Sequence, residues 1–263
     1  MASWQAIAAL SAVMFLCNEI GFRLGRRLHA NEPELSRSAS GAIKASIFAL
    51  VAFLVAVSFS TTAARHDTRR RVVLDEANAL GTCYLRAGLL QEPQRSAIRA
   101  TLVKFVDARL AYFDDGLNIE RSKQARDTMG GLLNDLWRQV EAAAAADATQ
   151  TRTSQIVPAA NDVIDLASTR DFAAASHLQP AVLWLLVTCV LVFSLLIGHS
   201  SGQSTIRHLG LWCALNLLFG MVLFVVLDFD RPRRGLIQVN HTPLVELRAS
   251  MGPASSAPAG SGG

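Results

Sequence analysis

The chain has 263 residues, 51% of them hydrophobic, and a formal net charge of only +4. Four long apolar stretches carry almost no charge while the segments between them carry nearly all of it, a segregation that excludes an ordinary soluble domain. The positive excess is not gathered into a face or tail, so nucleic acid is not an expected partner.

The first apolar run starts near Trp4 and extends to about Leu24. Nothing basic precedes it and no small-residue cleavage pattern follows, so it reads as a retained membrane helix rather than a signal peptide. Asn18, Glu19 and Arg23 fall near its end. Glu19 and Arg23 are four residues apart with the acid first, the favourable order for a helix-surface pair.

The second run is the cleanest. From Ala45 to Ala64 there is no charge, with Lys44 and Arg65 at its ends, giving a span over about 44–64. No proline or glycine interrupts Arg65 to Leu80, so this helix is expected to continue past the span. Two further spans are expected at about 181–198 and 207–228, separated by a short loop with Gly198, Gly202 and Arg207. Trp4, Trp184 and Trp212 each fall near a span end, as an aromatic belt requires. Backbone groups in lipid must be satisfied within the segment, so all four are helices.

Between the second and third spans, residues 65–180 read as a helical bundle. Ile98, Leu102, Phe105, Val106 and Phe113 recur at helical spacing, as do Met129, Leu132, Leu133, Leu136 and Val140. A preceding helix covers Arg69 to Leu90 and a fourth covers about Ile156 to Phe172, with loops at 91–93, 114–116 and 147–154. The fold class is therefore all-α: four transmembrane helices with a helical-bundle domain inserted between the second and third. Residues 231–250 form a membrane-proximal segment, and the Gly, Ala, Ser and Pro tail from 251 to 263 is expected to be disordered.

Four spans place both termini and the central domain on one side. Near the span ends that side carries eight arginines (65, 69, 70, 71, 170, 231, 233 and 234), against six basic residues on the other (23, 26, 27, 37, 44 and 207). The positive-inside rule then makes the central domain and the termini cytoplasmic.

Enzymatic machinery is not visible. There is no glycine-rich phosphate loop, no paired metal-binding histidines and no Gly-x-Ser-x-Gly elbow. Cys17, Cys83, Cys189 and Cys213 lack the spacing of a disulfide framework or zinc site and read as small buried residues.

Five features remain as candidate sites. Phe48, Ala52, Val55 and Phe59 follow one face of the second span and would form a hydrophobic constriction if several copies surrounded an axis. Arg65, Arg69, Arg70 and Arg71 would make a positive mouth that concentrates anions, or else a lipid-headgroup anchor. Glu76, Asn78, Thr82 and Arg86 form one dense polar set, and Asn161, Asp165 and Arg170 a second. A salt-bridge or hydrogen-bond network between their two helices is the expected role, with ligand binding as the alternative. Asp228 and Asp230 offer oxygen ligands of the kind calcium prefers, but Arg231, Arg233 and Arg234 compete for them, so a structural turn is expected and no cofactor.

Phe59-Ser60, Arg65 and Arg69, then Glu76-Ala77-Asn78-Ala79-Leu80-Gly81-Thr82-Cys83-Tyr84-Leu85-Arg86, resemble a bacterial membrane family described as bestrophin-like. So do Phe105-Val106-Asp107-Ala108-Arg109-Leu110, Asn161-Asp162 with Asp165 and Arg170, and Asp228-Phe229-Asp230-Arg231-Pro232 with Gly235 and Ile237. The likeness spans roughly 19–247. It differs from the usual pattern in Phe105 for tyrosine and Asp162 for glutamate. The resemblance implies a homo-oligomeric, pentameric ion channel in lipid, its pore lined by the second helix of each subunit and extended by a helical cytosolic domain. A membrane-anchored sensor or scaffold without transport activity is the competing reading.

Overall fold

The computed structural model describes residues 3–28, 34–114, 119–203, 209–230 and 239–252. Eight helices follow one another among them, with no strand: α1 (Ser3–Leu28), α2 (Glu34–Ala87), α3 (Gln94–Asp114), α4 (Ile119–Ala146), α5 (Thr153–Ala175), α6 (Pro180–Gly202), α7 (Leu209–Asp230) and α8 (Thr242–Ser250). They pack as two compact units, residues 1–66 with 177–237 and residues 67–176 with 238–263. α2 begins ten residues before the expected span and runs unbroken for 54 residues, the first 33 of them in the first unit.

The first unit holds the apolar helices. Four helices are long and apolar enough to cross a membrane, lying within 8–27, 41–87, 153–202 and 213–230. In the third range the uncharged portion is α6, which starts with Pro180 in the first turn, where a missing N–H costs nothing. Met14, Val51, Val55, Leu186, Val190, Phe193, Leu223 and Val226 form the core. Phe193 sits between Phe48 and Phe219, with ring centroids at 4.8 and 4.5 Å.

The closest helix pairing in this unit is α1 on α6, and its cause is a reciprocal glycine set. A Cβ built at Gly21 or Gly25 would collide with the backbone around Leu195 and His199. One built at Gly198 or Gly202 would collide with the backbone of Asn18, Phe22 and Arg26. Each helix thus carries a Gly-x-x-x-Gly pair against the other's main chain, the arrangement small residues permit when lipid supplies no hydrophobic drive. Three hydroxyls in α2 are satisfied within the helix: Ser46 donates to the carbonyl of Ala42, Thr61 to that of Val57 and Thr62 to that of Ser58.

The second unit packs α2 (from residue 67), α3, α4, α5 and α8 around its own core. Leu80, Cys83 and Ala87 meet Ile98, Leu102, Phe105 and Val106, then Leu136 and Val140, then Ile156, Ala160 and Val163. The helices expected from apolar spacing take these positions, and the alanine run 142–146 lies inside α4. α5 opens on a tight cap. The Asp147 carboxylate accepts from the backbone of Thr153 and Arg152 and from the Thr153 hydroxyl, and these bonds hold its pKa down at about 2.

The C-terminal segment differs from expectation. Residues 242–250 form α8, and Met251, assigned by composition to the tail, is buried in the second unit's core. Leu244 and Met251 supply the apolar contacts that the flanking Gly and Ser composition conceals. Residues 253–263, and the arginine-rich turn at 231–235, lie outside the described residues.

Candidate functional site

The second unit buries a cluster of ions. Glu76 stands on α2 one turn after Val73 and one before Leu80, in the helix's inward register. Arg109 follows Leu102 and Phe105 along the buried face of α3, and Arg170 follows Val163 and Ala167 on α5. Glu76 is fully buried, and the Arg109 and Arg170 side chains are 2% and 6% exposed.

One Glu76 oxygen accepts from Arg109 Nε at 3.0 Å and Nη2 at 2.6 Å; the other accepts from Arg170 Nη1. Arg109 Nη1 continues to Asp171 at 2.9 Å. The two guanidiniums are thus matched by two carboxylates, which makes burial of four charges tolerable. Burial lowers the pKa of both arginines; at Arg109 the Glu76 and Asp171 carboxylates outweigh it and the pKa is raised, whereas Arg170, with Arg109 beside it, stays lowered. The Arg170 guanidinium also lies over the Phe113 ring, 4.6 Å from its centroid, and its Nη2 reaches His241 Nδ1 at 3.1 Å.

Of the polar residues singled out from sequence, the structure brings Glu76 and Arg170 together. Asn78, Thr82, Asn161 and Asp165 are exposed and take no part in the cluster. Arg86 instead donates to the backbone carbonyl of Gln155 at 3.1 Å. Arg109, Asp171 and His241 are members that the sequence reading did not assign to the network. The signal for Arg109 was present: an arginine inside the apolar period of α3.

The basic run divides by role. Arg69 is buried, and it donates to the carbonyls of Ala173 and Ser176, capping the C-terminal end of α5. It is therefore a structural cap rather than an open charge. Arg70 and Arg71 are exposed. Arg65 is half-buried, and its Nη1 has no hydrogen-bond partner among the described residues.

The candidate constriction residues are unevenly placed. Val55 is in the first unit's core and Phe48 is half-buried against Phe193, whereas Ala52 and Phe59 are exposed. The inward stripe of α2 in this unit is Val51, Val55, Ser58, Thr62 and His66. An exposed stripe runs opposite it: Ala42, Ser46, Ala49, Phe53, Ala56, Ser60 and Ala64.

At the end of α7, Asp230 accepts from the backbone N–H of Leu178 at 2.6 Å, and its own carbonyl oxygen is 3.0 Å from His177 Nδ1. Asp228 is buried. Among the described residues no group of three or more His, Cys, Asp or Glu side chains is gathered in a way that would hold a metal ion. All four cysteines are free; burial pushes the Cys83 thiol up to about 12, which leaves it inert.

Four apolar helices define the chain as an all-helical, multi-pass membrane protein. A bestrophin-like domain model matches residues 8–244. The chain belongs to the bestrophin-like family. No curated protein and no solved structure matches it.

Proposed function

We propose that the chain is one subunit of a homo-oligomeric ion channel, pentameric as the family resemblance implies, with α2 lining the pore and anions favoured. The single observation that carries this reading is one stripe of small residues along the exposed side of α2. The exposed surfaces of α1, α6 and α7 carry large apolar side chains: Val13, Phe15, Leu16 and Ile20 on α1, Trp184, Leu185 and Val192 on α6, Leu217, Leu218 and Met221 on α7. Along α2 one exposed stripe is built of alanine and serine with Phe53 as its one large side chain, while Ile43, Leu50, Val57 and Phe59 are exposed beside it. Such a face suits other copies of α2 and a wetted axis better than lipid tails.

Ala52 and Phe59 border this stripe, with Phe48 and Val55 behind them as packing support. Phe53 and Phe59 are the side chains able to narrow the axis. Exposed Arg70 and Arg71 favour anions at one mouth. The central domain and both termini are proposed to be cytoplasmic. A calcium site at Asp228 and Asp230 forms no part of the reading.

Purified, cross-linkable oligomer in planar bilayers should carry anion-selective current. A folded oligomer silent across pH, calcium and voltage would defeat the proposal. The scaffold reading is favoured by exposed Leu85 and Phe172 on the second unit, 71% and 78% accessible. Labelling a cysteine at position 145 from outside intact cells would place that unit externally and remove the cytoplasmic topology.

A further inference from the structure

Residues 239–252 belong to the second unit and are fastened to it at four places. Leu244 and Met251 are buried. The Tyr84 hydroxyl donates to the Met251 carbonyl at 2.9 Å. Arg248, itself half-buried, pairs with the exposed Asp107 at 2.5 Å. The fourth fastening is His241, whose ring stacks on Phe113 with centroids 3.7 Å apart and 24° between planes.

His241 differs from the other three in what it faces. A guanidinium only donates, so the 3.1 Å contact with Arg170 Nη2 requires Nδ1 as acceptor and the ring proton on Nε2. The charged groups around it come from three helices: Arg170 and Asp171 on α5, Arg109 on α3, and Glu76 on α2. Both Glu76 oxygens are engaged by arginines and Asp171 is engaged by Arg109. No carboxylate hydrogen-bonds His241 among the described residues, so a proton on Nδ1 would meet guanidinium donors alone.

We propose that residues 239–252 are a proton-released clasp: protonating His241 turns its acceptor nitrogen into a donor against Arg170, and the segment lifts from α3 and α5 while α2–α5 stay packed. Burial first, then Arg170 and Arg109, lowers the His241 pKa from 6.5 to about 4. The neutral ring is therefore favoured in the closed state. Its contribution is complete above 6.5, falls as pH drops from 6.5 towards 4, and is gone below. Between pH 7.5 and 5 the closed-to-open ratio should fall about 30-fold.

Hydrogen–deuterium exchange of the full chain in detergent tests this, with rates corrected for the intrinsic pH dependence. Amides of 242–250 should lose about 30-fold protection between pH 7.5 and 5, while those of 98–106 in α3 keep theirs. His241→Asn or His241→Gln should abolish the pH response of 242–250, and Asp107→Asn should retain it. Equal wild-type protection at both pH values overturns the clasp. So does an undiminished response in both His241 variants, or an equal loss of protection in α3.

Discussion

Glu76→Gln is the sharpest probe of the buried cluster. The substitution keeps the shape and removes one negative charge at a fully buried position. In the native unit Arg109 and Arg170 are matched by Glu76 and Asp171. After substitution two cations face one carboxylate, and that carboxylate is 51% exposed. The amide offers one acceptor oxygen where two were used, and its NH2 points at a guanidinium. Leaving a buried charge uncompensated costs about 3–5 kcal/mol, a large part of the roughly 5–15 kcal/mol that holds a domain together. In thermal unfolding of the detergent-solubilised protein, followed by circular dichroism, the second unit's Tm should fall by on the order of 10 °C or more. Replacing all three ions together, with Glu76→Leu, Arg109→Met and Arg170→Met, should cost less than Glu76→Gln alone. A Glu76→Gln protein of wild-type stability, or a triple variant less stable than the single one, would refute the reasoning.

Further outcomes follow from packing and burial. Gly198→Val places a side chain into the Asn18 main chain and should destabilise the α1–α6 pair by about 1–3 kcal/mol through overpacking, read as earlier unfolding in a detergent titration. Gly210→Val, with nothing within 4 Å of its Cβ position, is the control and should change little. Cys83 should resist maleimide at pH 7.5 in the folded protein and react on denaturation, since it is buried and its thiol is pushed up to about 12. Arg248→Ala removes a partly exposed pair and should cost about 1 kcal/mol.

The spans and the bundle helices were legible because each is a long, regular signal: uncharged runs for α1, α2, α6 and α7, and apolar periodicity for α3 and α4. α8 was not, because nine residues with Leu244, Val245 and Leu247 are too short for a period to register. The face of α2 was hard to choose for a different reason. Every side of a span is apolar, so the inward stripe through Val51, Val55 and Ser58 is set by what packs on it, as Phe193 of α6 does on Phe48. Glu76 and Arg170 were marked as polar, but their pairing depends on Arg109, which composition alone places on a solvated face. Its position in register with Leu102 and Phe105 was the available clue: a charge on an apolar stripe needs a buried partner.

Whether α2 lines an ion path can be read from thiol block of single-channel current. In a variant lacking the four native cysteines, Ala49→Cys and Ser60→Cys lie on the exposed stripe, while Val55→Cys lies in the core. Anion current should be blocked by a charged, water-soluble thiol reagent at 49 and 60 and left intact at 55. Current that is insensitive at 49 and 60 would contradict the lining assigned to α2, and no current from a folded oligomer would contradict the channel itself.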